Sequence, residues 1–241
     1  MIENLSLFLN THSSCADLWP MFFGQLEKHW PGHPRVVLAV NDDAISYRDT
    51  MTYPWISACD VDHVGEPKPY GLRGSDELVG YKDDHPFGQQ YLQGLSYVTT
   101  DYALPLLEDF ILIGDVDVGA IERAIEACRP AVRLIESGAD YTYSFQPTVW
   151  RTNALLSSYV QGRRFATPWE CELGLSANLP EQYRYVLPGC KGAPRGNHFD
   201  STVFPYIATA LTRGKWNSEY ADELKPLHQT YGIDAKIRGW T

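Results

Sequence analysis

Three times in the first 112 residues a short apolar run gives way abruptly to polar side chains. The runs are "LSLFLNTH" at 5–12, "RVVLAVNDD" at 35–43 and "YALPLLEDFIL" at 102–112. Continuous apolar runs of this length predict strands buried on both faces, with the polar residues at their carboxyl ends. Between them lie stretches of helical period. In "DLWPMFFGQLEKHW" the apolar positions are Trp19, Phe22, Phe23, Leu26 and Trp30, with Asp17 as the expected cap and Pro20 in the first turn. In "FGQQYLQGLSYV" they are Phe87, Tyr91, Leu92, Leu95 and Val98. Strand, helix and strand over the opening forty residues make a βαβ unit, and hence a largely parallel sheet covered by helices.

Downstream, Asp117 is placed to cap a helix over "VGAIERAIEACR", with Ile121, Ala124, Ile125 and Cys128 facing inward. "YTYSFQPTVW" at 141–150 predicts a strand, "NALLSSYV" and "TPWECELGLSA" two helices, and "VFPYIATALTRG" and "SEYADELKPLHQTYG" two more. Residues 44–84 are rich in Gly, Pro and charge and read as loop, with "WISACDV" a short strand inside it. No repeat or linker divides the 241 residues, which reads as one domain.

Composition narrows the chemistry. Thirty acidic against twenty basic residues, a formal charge of -10, argue against a protein that grips nucleic acid by its phosphates. The five cysteines show neither CxxC nor zinc spacing and read as reduced thiols. With no signal-like leader and no apolar run of membrane length, the expected location is the cytoplasm.

The acids are then the informative residues. Strand ends are where open α/β sheets bind ligands, and here they carry Asn10, Thr11 and His12, then Asn41, Asp42 and Asp43, then Glu108 and Asp109. Two adjacent carboxylates closing an apolar strand either meet water or share a cation, and oxygen ligands favour Mg²⁺ or Mn²⁺ held together with substrate phosphates. Asp115 and Asp117 have a local explanation as turn and cap residues. Thr167, Pro168 and Glu170 form a capping box, and Glu172 lies two positions further round the same helix. Either glutamate could act as a general base at a helix start, with a structural cap the competing role for Glu170 and a solvated face for Glu172.

Taken together, Leu107-Glu108-Asp109-Phe110, the Gln146 to Trp150 segment and Pro168-Trp169-Glu170-Cys171-Glu172 resemble the "LxEDF", "QxxxW" and "PWExE" elements of small bacterial and viral GT-A fold glycosyltransferases. Arg213 to Trp216, "RGKW", is similar to the segment that closes such sites. The resemblance spans roughly residues 5–216.

It implies a Rossmann-like GT-A fold with a mixed, mostly parallel sheet flanked by helices. Residues 1–113 would form the nucleotide-sugar half and 114–241 the acceptor half. The implied activity is transfer of a sugar from a nucleotide diphosphate sugar such as a UDP-sugar to a hydroxyl of a glycan or lipid-linked glycan in surface polysaccharide synthesis, metal-dependent and inverting.

On that resemblance Asp109 is the preferred ligand of Mn²⁺ or Mg²⁺, although no literal Asp-x-Asp is present. Glu108 stands beside it, and His198 could complete the metal site. Thr11, His12, Asn41 and Asp42 would hold base and ribose, and Lys215 would steady the leaving diphosphate. Glu170 or Glu172 would be the base, Glu170 being placed deeper in its helix's first turn. Trp150, Trp169 and Trp216 are candidates for stacking on sugar rings, and Arg163 and Arg164 for an anionic acceptor.

A nucleotidyltransferase is the nearest alternative, but such enzymes carry a glycine-rich, basic phosphate loop after the first strand. "NTHSSCADLW" has neither glycine nor lysine. A non-catalytic nucleotide-sugar or carbohydrate-binding protein is the third reading.

Overall fold

The computed structural model describes residues 2–41, 76–136, 141–196 and 198–241. Its centre is a six-stranded sheet in the order β3-β2-β1-β4-β7-β6. The strands are β1 (Leu5–Asn10), β2 (Val36–Asn41), β3 (Glu77–Tyr81), β4 (Tyr102–Leu106), β6 (Ala131–Arg133) and β7 (Thr148–Arg151). β1, β2, β3 and β4 run parallel; β7 pairs antiparallel with β4, and β6 antiparallel with β7. Every residue of β1, β2 and β4 is buried, which is why these strands read as unbroken apolar runs.

Helices pack on this sheet and on each other: α1 (Trp19–His29), α2 (Phe87–Leu95), α3 (Val118–Glu126), α4 (Thr152–Gly162), α5 (Pro168–Asn178), α6 (Ala221–Tyr231) and the short α7 (Ala235–Arg238). α2 lies unusually close to its neighbours. A Cβ at Gly94 would come within 2.4 Å of the Ala39 Cβ, and one at Gly88 within 2.1 Å of the Gly162 carbonyl oxygen. Gly88 also donates its amide to the Phe165 carbonyl at 2.9 Å, so α2, on the sheet, is tied directly to the α4–α5 connection. Around this contact the Tyr91 and Tyr159 rings stack at 4.2 Å, and the Tyr143 and Tyr159 hydroxyls bond at 2.7 Å. No helix among the described residues is long and apolar enough to cross a membrane.

Several sequence expectations give way to tertiary context. α1 is not capped by Asp17; a 3₁₀ turn over Ser13–Leu18 precedes it, capped by His12, and Asp17 instead pairs with Arg238. Part of the predicted loop at 44–84 is β3, an edge strand of which only Val79 and Tyr81 are buried. "WISACDV" lies outside the described residues.

The predicted strand at 102–112 breaks into β4 and the two-residue β5 (Ile111–Leu112), separated by a turn. The one at 141–150 shortens to β7. Residues 203–214 are not helical but form β10 (Tyr206–Ile207), which pairs with β5, and β11 (Leu211–Thr212), which makes a hairpin with β12 (Lys215–Trp216). β6 was not anticipated at all. Cys128, expected inside, is exposed at a positive φ of 55° just past α3, its Sγ accepting from Arg151 at 2.9 Å.

Candidate functional site

Two groups of polar side chains gather along the carboxyl edge of the sheet. The first sits at the ends of β1, β2 and β3. Thr11 is buried, its hydroxyl accepting from Trp19 Nε1 at 3.0 Å and its carbonyl from the Tyr81 hydroxyl at 2.5 Å. His12 caps the 3₁₀ turn through Nδ1, which accepts from the Ser14 amide at 3.0 Å, and its Nε2 meets Asp83 at 3.3 Å. Asn41 accepts from the Ser13 amide at 2.8 Å and donates to Asp83 at 3.2 Å. Thr11, His12 and Asn41 are brought together with Tyr81, the last residue of a strand the sequence did not reveal, and Asp83 in the turn that follows it. Asp42 lies outside the described residues.

The second group forms where the sheet reverses direction. β4 ends in a turn closed by the Phe110 amide on the Leu107 carbonyl at 3.0 Å, which puts Glu108 and Asp109 at its centre. Glu108 points back to the first group, accepting from the Thr11 hydroxyl and the Cys15 thiol; burial nevertheless pushes its carboxyl up. Asp109 accepts from the Leu211 amide, and burial reinforced by the neighbouring Glu108 charge raises it to about 8.

Because β7 runs antiparallel to β4, the segment entering β7 returns to the same edge. Together with the start of α5 and β9 (His198–Phe199) it walls a cleft of about 330 Å³ whose lining includes Asp109, Arg133, Gln146, Trp169, Glu172 and His198.

Within that cleft Glu172 is the firmly held base candidate. Its Oε1 accepts from the Phe145 amide at 2.9 Å and from the Ser144 hydroxyl at 3.1 Å, while burial still pushes its carboxyl up against the pull of these donors and of Arg133. Glu170, expected to be the deeper of the two, is exposed. Its backbone amide reaches the Thr167 hydroxyl at 3.1 Å and its carboxylate accepts from the Ala166 amide at 2.7 Å, the work of a helix cap.

His198 lines the cleft from a small hairpin rather than an open loop, and burial lowers its pKa, keeping the imidazole neutral and able to ligate. Lys215 lies elsewhere, exposed on the β11–β12 hairpin in a small depression with Thr212, Arg213 and Thr241. Asp115 accepts from His29 Nδ1 at 2.9 Å, and Asp117 caps α3 by accepting from the Ala120 amide at 2.9 Å.

Arg133 is the cleft residue that sequence reasoning missed. It is 4% exposed on β6, donates to the Tyr141 carbonyl, and burial together with nearby Arg184 lowers it to about 10. A single arginine within the apolar run "PAVRLI" was the available signal.

The residues fit a divalent ion only in one manner. Among the described residues no three His, Cys, Asp or Glu side chains are grouped closely enough to hold a metal by themselves. A half-buried carboxyl at Asp109 whose ionisation is opposed by its surroundings does suit an ion that takes one or two protein carboxylates and completes its shell with phosphate oxygens.

No family model and no curated protein matches the chain. Among solved structures, the bifunctional IspDF from Campylobacter jejuni is similar with a TM-score of 0.41 and 9% identity, over 72% of this chain and 47% of that one. The chain thus spans about half the length of IspDF. An active-site mutant of LgtC is similar with a TM-score of 0.40 and 11% identity, over 70% of this chain and 69% of that one. Likeness at this level says nothing of chemistry, which is carried by the side chains.

Proposed function

We propose that the protein is a nucleotide-sugar-dependent glycosyltransferase whose donor lies along the carboxyl edge of the sheet and whose acceptor enters the cleft beside α5. The observation that carries this reading is that Asp109 and Glu172, from distant parts of the chain, line one cleft together, each half-buried and each resisting ionisation. Two carboxylates with distinct partners suit distinct tasks, one toward a cation or phosphate and one toward a proton.

Thr11, His12 and Asn41 would bind the nucleoside, and Asp109 with Glu108 would hold Mn²⁺ or Mg²⁺ under the diphosphate, with His198 lining the same cleft as Asp109. The ion, when bound, would offset the negative charge that develops on the leaving diphosphate. Glu172 accepts the proton of the acceptor hydroxyl as that oxygen attacks the anomeric carbon from the face opposite the diphosphate. The bond from anomeric carbon to phosphate oxygen breaks, its electron pair leaves with the nucleoside diphosphate, and the configuration inverts. Ser144 and the Phe145 amide keep the Glu172 carboxylate aimed throughout.

A nucleotidyltransferase fits less well. The amides a phosphate loop would present after β1 are occupied: Ser13 N by Asn41, Ser14 N by His12 Nδ1, and Cys15 N by the His12 carbonyl at 2.8 Å.

Thermal unfolding of the wild type and Asp109→Asn with UDP-, GDP-, CDP- and dTDP-glucose, in Mn²⁺ and in chelator, tests the proposal. A rise of roughly 5–10 °C at a hundredfold excess over Kd is expected for one nucleotide, dependent on metal and lost in the variant. No rise with any donor would overturn it.

A further inference from the structure

The three tryptophans with the spacing to meet a sugar separate sharply by exposure. Trp150 is 2% exposed and Trp216 0%, so both are core residues. Trp169 is 66% exposed, and it lines the cleft alongside Gln146 and Glu172. Exposed apolar side chains are common singly, but an indole that is both largely exposed and part of a cleft wall offers its ring face to whatever enters. Its place is set by Pro168 in the first turn of α5.

The polar wall beside it is already oriented. Gln146 Nε2 donates to the Tyr206 hydroxyl at 2.9 Å and toward the Phe199 carbonyl at 3.4 Å. With the amide hydrogens directed at protein, Oε1 is left as an acceptor. A flat apolar surface next to fixed hydrogen-bond acceptors is the chemistry that recognises a pyranose, which has one face of C–H groups and an equatorial rim of hydroxyls.

We infer that Trp169 is the stacking platform of an acceptor subsite for an uncharged pyranose, with Gln146 Oε1 accepting one of the ring's hydroxyls and Glu172 within the same cleft to receive the proton of another. This rests on the transferase reading above. A lipid surface would also welcome an exposed tryptophan, and Leu173, one turn along α5, is exposed too. Fixed acceptors such as Gln146 and Glu172 have no role against hydrocarbon, and they favour the sugar.

The test uses the whole chain and four probes: methyl β-D-glucopyranoside, methyl β-D-galactopyranoside, methyl α-D-mannopyranoside and the open-chain polyol sorbitol, each followed by saturation-transfer NMR and by indole fluorescence. At least one pyranoside should bind the wild type and sorbitol should not. Trp169→Ala should weaken that binding about tenfold, Trp169→Phe less, and Gln146→Met should weaken it as well. Trp169 being exposed, Trp169→Ala should keep the melting temperature and the nucleotide-sugar response of the wild type.

Equal pyranoside binding by wild type and Trp169→Ala, or no pyranoside binding by a wild type that does respond to a nucleotide sugar, would overturn the platform and leave the donor site standing. Pyranoside binding with no response to any nucleotide sugar would overturn the acceptor role and the transferase reading together. Loss in Trp169→Ala of binding to phosphatidylglycerol vesicles, with pyranoside binding unchanged, would reassign the patch to a membrane and overturn the inference.

Discussion

The two halves of the sheet's carboxyl edge are built on opposite principles. At the ends of β1, β2 and β3 the polar groups answer one another: Thr11 with Trp19 and Tyr81, His12 with Ser14 and Asp83, Asn41 with Ser13 and Asp83. Around the β4–β7 junction the polar groups turn to the protein on one side and to a cleft on the other: Glu172 accepts from Ser144 and the Phe145 amide, Asp109 from the Leu211 amide, and Arg133 donates to the Tyr141 carbonyl, yet both half-buried carboxyls resist ionisation and an indole faces water. A network closed on itself holds a shape, whereas one that opens onto a cleft leaves room for a ligand. The reversal of strand direction produces the difference, because it brings the end of β4 and the beginning of β7 to the same place, beside the start of α5.

Removing the base candidate should upset the cleft side most. Glu172→Gln keeps the Phe145 and Ser144 contacts within reach of an amide oxygen yet cannot accept a proton, so kcat for sugar transfer should fall about a thousandfold while donor KM holds. A kcat within a factor of about three of the wild type would remove Glu172 from the chemistry.

Asp109 offers a sharper physical contrast, readable without substrate. An acid whose folded pKa lies above its unfolded value favours the fold while protonated; that contribution is complete below 3.8 and lost as pH rises through about 8. The ligand-free wild type should therefore melt at progressively lower temperature as the pH climbs across this interval, and Asp109→Asn should melt with a flatter dependence, at least as stable as the wild type above pH ~8. Identical pH profiles would show that Asp109 is not held against ionisation.

Glu170→Gln should do least. Its carboxylate serves the Ala166 amide on an exposed surface, so stability should drop by about 1 kcal/mol or less and turnover should stay within about threefold. A loss matching that of Glu172→Gln would exchange the roles of the two glutamates.

How much of this was legible follows from where the signals live. β1, β2 and β4 are buried along their whole length and α1 to α5 each bury one stripe, so their periods survive in the sequence. β3 hides because only two of its five residues are buried. Residues 203–214 mislead for a physical reason: Val203, Phe204, Ile207 and Ala208 recur at helical spacing, yet what buries them is β10 pairing with β5, and Pro205 and Gly214 were the contrary signs. The acids ending β4 were visible as an adjacent pair, and so was the spacing that sends Glu170 and Glu172 to different sides of α5. Which of the two faces the cleft was not, since that is decided by Ser144 and Phe145, remote in the chain. Tyr81 was invisible on the same account, since its place is decided by the Thr11 carbonyl, remote in the chain.

Gly88 has a consequence for how this chain could vary. Its neighbour at 2.1 Å from an added Cβ is backbone, the Gly162 carbonyl, which has no rotamer to change. A saturation library at position 88 sorted for folded protein should return glycine almost alone, while the same library at position 169 should return nearly every amino acid until the sort is for binding sugar. Two positions would thus carry different kinds of selection, one visible to any assay of solubility and the other silent until the right molecule is supplied.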